Sequence, residues 1–519
     1  MKKNTIRSAI KTVKTLPTNF FSADAQLLPK ISSCHGTTFF SRPRITASSM
    51  LDDQTAPPFD CYKLLTEMAS TFSDTCIDRP FKNTMVVAVQ HLLETTHDMF
   101  RVLHQLGLER AIIGGKSYST HFESAEALKS LGYTVIPTSY QLAYGRFDDA
   151  MQHTVHSIWN SALEEMKRQK PDLLIILDDG GDLIRSTPGA LFNGIPYKPN
   201  RVVAIEQTRG GSNLPWFSGM PFAIINVAGS YIKSLLEYPA VAEIIAERTH
   251  QAIEQEIISH REENSQPVIG VIGYGTMGKA IVNKFQKLGY PVSVYDAQPE
   301  KIHAQENVIS YPDPALLISS ADIIIGCTGT DVTANPKSLF ALTHSRKPKY
   351  LISTSSKDWE FNSLLTLIQH QTKTLEYTPN PHETIEHINY ANSKLTILRG
   401  GFPLNFDNSP HSVPPEKIWP TRAALLGATL MAARGHAENI LDTPAVLQLD
   451  AEMQQLIFQH YLMLNGNYAL NNLKDNLTDI INSNSDTIKE ICTAKSEGEK
   501  LFFKGTASQK VLCNGPRNL

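Results

Sequence analysis

The chain has 519 residues, enough for about two to four domains of ordinary size. The chain has 48 lysine and arginine residues and 51 aspartate and glutamate residues, so its formal charge is −3. A dedicated nucleic-acid-binding protein needs a basic face and is therefore not expected. No stretch of about 18 apolar residues occurs, so we predict no membrane partner. The six cysteines show no CxxC pair or zinc spacing, so we predict no metal site and expect a reducing, cytoplasmic location.

Both ends of the chain are predicted to be tails. Residues 1–57 are polar, basic and poor in acids, which fits either a disordered terminus or an organelle transit peptide, and both alternatives stay open. The segment has no continuous apolar run, so a secretory signal is not expected. Residues 470–519 are rich in asparagine, lysine and serine and are predicted to form the second tail.

Residues 58–240 alternate strand-like and helix-like patterns, which predicts an α/β domain. Its predicted strands are Thr84–Val89, Ala111–Gly114, Leu173–Leu177, Val202–Ile205 and Phe222–Val227. Its predicted helices include His91–Leu106 and Glu123–Leu131. In an open parallel sheet of this kind, ligands bind beyond the carboxyl ends of the strands.

Three of these strands place acid–base side chains at that edge of the sheet. Asp179 and Glu206 follow the third and fourth predicted strands, and Lys233 lies one turn beyond the fifth. A single carboxylate after a strand is often only a helix cap. Three converging acid–base groups indicate a functional site more strongly than any one of them does.

Two helical segments are predicted outside the domains themselves. A charged helix over 241–265 is expected to link the first domain to a second one on the protein surface. A C-terminal helical segment over 403–469 contains the apolar run Ala423–Ala433 and is expected to pack back on the first domain.

The second predicted domain, 266–402, opens with the pattern of a dinucleotide site. An apolar strand leads into Gly273-x-Gly275-x-x-Gly278, and a helix follows. The first glycine permits a tight turn, the second lets the backbone approach a pyrophosphate, and the third allows close packing of helix on strand. Asp296 ends the next strand, 18 residues after Gly278, where it would accept hydrogen bonds from ribose hydroxyls and favour NAD over NADP.

Other segments of this domain are expected to contact the same cofactor. Thr276 and Met277 open the helix, whose first amide groups and positive dipole attract phosphate. The predicted strand Ala321–Ile325 is followed by a loop of small residues that includes Thr328 and Gly329. Such a loop permits close approach by the cofactor.

Three segments together resemble the S-adenosylhomocysteine hydrolase family. They are LDDGGDL at 177–183, INV…S…KS at 225–234 and GYGTMGK at 273–279. IEQTRGGSNL at 205–214 also looks like a family segment, and the resemblance extends from about residue 85 to about residue 433. It implies two doubly wound parallel-sheet α/β domains of the Rossmann type, one for substrate and one for NAD, with the substrate in the cleft. Family members form oligomers, but the family's C-terminal tail motif is absent here, so a homo-oligomer is left open.

The resemblance also implies a reaction in which bound NAD oxidises a hydroxyl group of a small-molecule substrate. In that scheme Lys233 assists removal of the hydroxyl proton, while Asp179 and Glu206 position sugar hydroxyls and relay protons. Glu237 stands where the family has an aspartate beside this lysine, and His91 stands where the family has a histidine.

The resemblance is weaker at the positions that would choose the substrate. Thr208 and Asn405 match family positions that contact the cofactor. The family's sugar- and adenine-contacting groups are replaced by Leu93 and Thr95, and its active-site histidine by Ser356. A site that has lost those groups cannot discriminate for adenosine in the family's manner.

Three functional hypotheses follow from the sequence. The first is an NAD-dependent enzyme that oxidises a secondary alcohol other than S-adenosylhomocysteine. The alternatives are a genuine but divergent S-adenosylhomocysteine hydrolase and a catalytically weak, NAD-binding regulatory homologue. Substitution of Lys233 separates the two enzymes from the regulatory protein, because only an enzyme would lose reduction of bound NAD.

Overall fold

The computed structural model describes most of the chain between residues 59 and 465. The described ranges are 59–72, 79–137, 147–192, 195–254, 266–302, 308–371, 385–390, 393–438, 441 and 443–465. Both predicted tails, 1–57 and 470–519, lie outside these residues.

Residues 84–226, together with one strand from the C-terminal segment, build a seven-stranded parallel sheet. Its strands are β1 (Thr84–Leu92), β2 (Arg110–Thr120), β3 (Thr134–Ile136), β4 (Leu173–Asp178), β5 (Arg201–Glu206), β6 (Ala223–Asn226) and β14 (Val446–Gln448), in the spatial order β14-β6-β5-β4-β1-β2-β3. Its helices are α1 (Cys61–Phe72), α2 (Glu94–Gln105), α3 (Phe122–Ser130), α4 (Phe147–Arg168), α5 (Asp182–Arg185) and α6 (Arg209–Ser212).

A second seven-stranded sheet follows. Its strands are β7 (Ile269–Ile272), β8 (Val292–Tyr295), β9 (Ile309–Ser310), β10 (Ile323–Gly326), β11 (Lys349–Ser353), β12 (Ile385–Tyr390) and β13 (Ser393–Ile397), in the order β12-β13-β11-β10-β7-β8-β9, with β12 antiparallel to β13. Its helices are α7 (Tyr238–Ala252), α8 (Thr276–Lys287), α9 (Pro314–Ser320), α10 (Pro336–Thr343) and α11 (Asn362–Gln371). The predicted class, two doubly wound α/β domains, is confirmed.

The apolar runs of the sequence explain why helices cover both faces of these sheets. Every residue of β4 is buried, as expected of a parallel strand covered on both sides. One face of the first sheet packs against α1, α2 and the C-terminal helix α12 (Pro415–Ala437), and the other face packs against α4. A last helix, α13 (residues 451–465), also packs against the first of these faces. None of the described helices combines the length and apolar character that crossing a membrane requires.

The prediction that a helix begins at His91 is wrong about its first residue. Strand β1 continues beyond the apolar run to Leu92, which pairs with Thr120 of β2, and the helix begins only at Glu94. His91 therefore lies on a strand, at the carboxyl edge of the sheet. Pairing with a distant strand, rather than local pattern, decides this boundary.

The charged linking helix predicted over 241–265 is not wholly a surface helix, because one face of α7 is buried. Ala242, Ile245 and Ala246 on α7 are buried in the core of the second sheet. These residues recur at helical spacing, so the helix has an apolar stripe despite its many charges. Residues 255–265 lie outside the described part of the chain.

The C-terminal segment contributes a strand that the sequence analysis missed. Val446–Gln448 forms β14, which pairs in parallel with β6 at the edge of the first sheet. The predicted boundaries at 58–240, 241–265, 266–402 and 403–469 stay predictions.

The two sheets meet at the carboxyl ends of their strands. Lys357, which follows β11, has its amine 3.2 Å from a carboxylate oxygen of Asp148 on α4 and 2.9 Å from one of Asp182 on α5. Tyr118 on β2 donates a hydrogen bond to the carbonyl of Ser356. The loop after β11 therefore lies against the edge at which the sequence places the acid–base residues.

Candidate active site

A lysine and a glutamate form a buried ion pair beyond β6. Lys233 is 3% exposed, and its Nζ lies 2.5 Å from Glu237 Oε1. The two residues open and close a π-helical turn, a wide turn that often marks functional sites. Thr421 on α12 donates a hydrogen bond to the other carboxylate oxygen, Oε2. The glutamate is thus longer than the aspartate expected from the resemblance but still reaches the amine.

Asp179 lies at the centre of a second buried polar cluster, beyond β4. Its Oδ1 accepts a hydrogen bond from Lys116 Nζ at 2.5 Å, and its Oδ2 lies 3.3 Å from His91 Nε2. Gln207 also donates to Oδ2. Burial alone would raise the pKa of Asp179, but the neighbouring charges, Lys116 first among them, hold it well below its usual range. Asp179 is therefore a carboxylate at every physiological pH.

His91 is a neutral imidazole held between two partners. Burial lowers its pKa to about 3. Because the Asp179 carboxylate can only accept, we assign the ring proton to Nε2, which leaves Nδ1 to accept from Ser119 Oγ at 2.5 Å. The Phe406 ring stacks on the imidazole with centroids 4.5 Å apart. Since the imidazole stays neutral, it is placed to orient Asp179 and not to supply a proton near pH 7.

Two carboxyl groups lie side by side at the ends of β4 and β5. Asp178 and Glu206 are paired in the sheet register, and both are completely buried. Glu206 Oε1 accepts hydrogen bonds from the amide and hydroxyl of Thr208 at 2.8 and 2.7 Å. Among the described residues, neither Glu206 Oε2 nor Asp178 Oδ1 has a hydrogen-bond partner. Burial raises the pKa of Asp178 to about 7, and burial together with Asp178 raises that of Glu206 well above its usual value.

Asp178 should make the protein less stable as the pH rises from about 4 to about 7. Its pKa is about 7 in the folded protein against 3.8 ordinarily, so the folded state binds the proton more tightly than the unfolded chain in this window. The stabilisation is present in full below the pKa of the unfolded chain and is lost above the pKa of the folded protein. At roughly 1.4 kcal/mol per pKa unit, it amounts to about 4 kcal/mol at most. Asp178→Asn should remove this part of the pH dependence, measured by urea unfolding across the window.

The control for this experiment is Asp149→Asn, which changes an exposed aspartate on α4. Its stability should follow the wild-type curve at every pH. The asparagine at 178 can still accept the hydrogen bond that Ile184 N donates at 2.8 Å, so the substitution removes charge with little loss of contact. Parallel curves for wild type and Asp178→Asn would contradict the assignment of a raised pKa to Asp178.

The glycine motif forms the turn between β7 and α8. Gly273 has φ of +99°, and a Cβ there would lie 2.7 Å from the Cys327 carbonyl oxygen. A Cβ at Gly278 would overlap the Gly273 carbonyl, whereas one at Gly275 would meet no protein atom within 4 Å. Thr276, which begins α8, is exposed beside this open space, and Met277 is half-buried. The loop thus has the tight turn and the open approach that a dinucleotide pyrophosphate needs.

Asp296 lies beside the glycine loop, as its spacing predicts. Its Oδ2 accepts a hydrogen bond from Tyr274 N at 2.6 Å and its Oδ1 accepts one from Gln298 N at 2.8 Å. The carboxylate therefore fixes the loop backbone and stands at the end of β8, where the ribose of a dinucleotide would lie. Asn405 is a second fitting group, because it is buried and its Oδ1 has no partner among the described residues.

Three other residues predicted to contact the cofactor are engaged with buried glutamates. Thr328 and Gly329 donate their amides to Glu360 Oε1 at 2.7 and 2.6 Å, which shapes the loop after β10. Thr208 holds Glu206 in the same way. Their contacts with the cofactor stay predictions.

Sequence reasoning missed the partners that hold the predicted residues in place. These are Lys116, Gln207, Thr421 and Glu360. Lys116 had a usable signal, since it comes two residues after a predicted strand, as Asp179 does. The others lie in segments whose local pattern indicates only helix or loop.

Comparison with known proteins finds a family match within the part of the chain that builds the second sheet. Residues 241–356 match the model of the NAD-binding domain of D-isomer specific 2-hydroxyacid dehydrogenases. NAD is thereby confirmed as the cofactor. The same match contradicts the resemblance to S-adenosylhomocysteine hydrolase, which was wrong. Glycine loops such as GYGTMGK occur in dinucleotide-binding domains of many functions, so the motif could not separate the two families.

The chain is also similar to uncharacterized proteins of Mycobacterium tuberculosis strains CDC 1551 and H37Rv. Each is 31% identical over 338 residues, which cover 64% of this chain and 61% of the relative. Among solved structures, a 2-hydroxyacid dehydrogenase from Ketogulonicigenium vulgare has 13% identity and a TM-score of 0.34, over 70% of this chain and 98% of that one. NAD-dependent formate dehydrogenase from Staphylococcus aureus has 14% identity and a TM-score of 0.32, over 69% and 96%.

Proposed function

We propose that this chain is an NAD-dependent oxidoreductase that interconverts a hydroxyl group and a carbonyl group on a small molecule. The observation that carries the proposal is Lys233, an amine buried beyond the carboxyl end of a strand of the first sheet, where ligands bind in open parallel sheets, and fixed by the Glu237 carboxylate at 2.5 Å. Lysine amines serve as proton acceptors and donors in such reactions. When bound, NAD would accept the hydride from the carbon that carries the hydroxyl.

The side chains of the first sheet would manage the proton and the orientation of the substrate. In carbonyl reduction the Lys233 ammonium would donate its proton to the carbonyl oxygen, and in the reverse direction the neutral amine would take the hydroxyl proton. Glu237 keeps the amine at the reacting oxygen. Asp179, held by Lys116 and His91, would accept a hydrogen bond from a second polar group of the substrate, and Glu206 would hold a proton beside it.

The residues of the second sheet would hold the cofactor. Gly273, Gly275 and Gly278 shape the pyrophosphate loop, with Thr276 and Met277 at the start of α8. Asp296 would bind the ribose hydroxyls. Asn405, with its unpartnered oxygen, would bind near the reacting end together with the loop of Thr328 and Gly329.

The test is a search for turnover with the full chain. Purified protein with NAD⁺ would be offered a panel of small hydroxy compounds, and with NADH the matching carbonyl compounds, with NADH absorbance as the readout. Conversion of at least one pair in both directions supports the proposal. No conversion across the panel, with NAD binding shown by fluorescence, would instead favour a regulatory NAD-binding protein.

A further inference from the structure

A buried glutamate without an ion-pair partner lies beside the loop that follows β10. Glu360, which comes after β11, is completely buried and forms no ion pair with any described residue. Thr328 N and Gly329 N donate to its Oε1 at 2.7 and 2.6 Å, Ser355 Oγ donates to Oε1 at 2.6 Å, and Thr328 Oγ1 donates to Oε2 at 2.8 Å. A buried charge is costly unless ion pairs or hydrogen bonds compensate it. These four hydrogen bonds therefore hold the carboxylate inside the protein.

The hydrogen bonds also favour the charged form of Glu360. A backbone amide can only donate a hydrogen bond, and two amides donate to Oε1, so this oxygen carries no proton. Burial raises the pKa of Glu360, and the hydrogen bonds from Ser355, Gly329 and Thr328 oppose that effect. Glu360 thus places a negative charge in the protein interior, and no cation among the described residues is in contact with it.

Glu360 joins two loops at one edge of the second sheet. Strands β10 and β11 are parallel neighbours, and Gly326 at the end of β10 pairs with Ser353 at the end of β11. A Cβ at Gly326 would lie 2.7 Å from Glu360 Oε2, so the carboxylate packs directly against the end of β10. Thr328 and Gly329, which the carboxylate holds in place, are exposed. Because ligands of open parallel sheets bind beyond such strand ends, the charge lies behind a loop that is open to a ligand.

We propose that the Glu360 carboxylate shifts the cofactor preference of this chain toward NAD⁺ and away from NADH. The nicotinamide ring of NAD⁺ carries a positive charge, which disappears when the ring accepts a hydride. A fixed negative charge nearby stabilises the charged ring and leaves the neutral ring unaffected, and a buried charge is only weakly screened.

The inference rests on the proposed function, which puts the loop of Thr328 and Gly329 near the reacting end of NAD. It adds a control over which form of the cofactor the site retains. Glu360 acts through this loop and through its electric field, so it is a positioning residue.

Calorimetric titration of the full chain with NAD⁺ and with NADH, in the absence of substrate, tests the inference. Glu360→Gln removes the charge, while its side-chain oxygen can still accept the hydrogen bonds of the two loop amides. We expect this variant to bind NAD⁺ about tenfold more weakly and NADH within about twofold of wild type. The ratio of the two dissociation constants is the readout, because loss of loop geometry alone would weaken both forms equally. Glu254→Gln, at an exposed glutamate just beyond α7, should bind both forms as wild type does.

Glu360→Asp is the second variant, in case Glu360→Gln does not fold, which thermal unfolding without ligand would show. Aspartate keeps the charge but is one methylene shorter, so both forms should bind more weakly by the same factor and the ratio should stay within about twofold of wild type. An unchanged ratio in folded Glu360→Gln, or a ratio in Glu360→Asp that moves toward NADH by more than about threefold, overturns the inference. Absence of cofactor binding by wild type overturns both the inference and the proposed function. A ratio that depends on Glu360, in a protein that turns over no hydroxy compound, would retain the inference and refute the reaction.

Discussion

Replacing Lys233 by methionine should lower substrate-dependent NADH formation by about 100- to 10,000-fold, the range typical of lost general acid–base catalysis. Methionine keeps the length of the side chain and its packing but cannot take the hydroxyl proton. NAD binding should be unchanged, because Lys233 lies on the first sheet's edge and the glycine loop on the second. The measurement is steady-state turnover with the best compound of the panel, beside a fluorescence titration of NADH.

This variant also removes the partner of a buried carboxylate, so a second variant is needed to separate catalysis from folding. Lys233→Met alone leaves Glu237 with its hydrogen bond from Thr421 and without its cation. Adding Glu237→Gln removes the stranded charge and should recover most of the lost stability, while turnover stays low. Lys129→Met, at an exposed lysine on α3, should behave as wild type in both measurements. Recovery of turnover in the double variant would refute the role of the amine.

Most strands could be predicted because a short, continuous run of apolar residues marks each of them in the sequence. Buried parallel strands need continuous apolar runs, and Leu173–Leu177 is such a run. The boundary at His91 was not predictable in this way, because β1 extends through a polar glutamine and histidine that only its neighbour β2 stabilises. Strand β14 is three residues long and depends wholly on pairing with β6. Non-local pairing decides both features.

In the candidate site, too, some residues could be predicted from the local sequence and others could not. Asp179, Glu206 and the glycine motif could be predicted because each follows an apolar strand within a few residues. The interactions that hold the residues of the site join residues far apart in the chain, such as Gln207 with Asp179 and Thr421 with Glu237. No local pattern marks those partners. The glycine loop, one of the segments behind the resemblance to S-adenosylhomocysteine hydrolase, describes how a dinucleotide is held and not what is done with it, so it could not distinguish the two families.

Substitutions of Gly278 and Gly275 in the cofactor loop should distinguish effects on folding from effects on cofactor binding. A Cβ at Gly278 would overlap the backbone carbonyl of Gly273, so neither side can yield without opening the turn between β7 and α8. We expect Gly278→Ala to cost about 2–4 kcal/mol of unfolding free energy and to abolish NAD binding. The measurements are urea unfolding and fluorescence titration of NADH.

Gly275→Ala is the matched variant, which should weaken NADH binding without lowering the free energy of unfolding. Gly275 has φ of −76°, which alanine adopts freely, and an added Cβ meets no protein atom within 4 Å. The unfolding free energy should therefore stay the same or rise by about 0.4–1 kcal/mol, as when glycine is replaced at a compatible site. NADH binding should nevertheless weaken at least about tenfold, because the methyl group takes the space through which the pyrophosphate approaches. Gly219→Ala, equally free of neighbours but far from the loop in sequence, should leave NADH binding intact. Unweakened NADH binding by Gly275→Ala would mean that the open space beside this glycine is not where the cofactor lies.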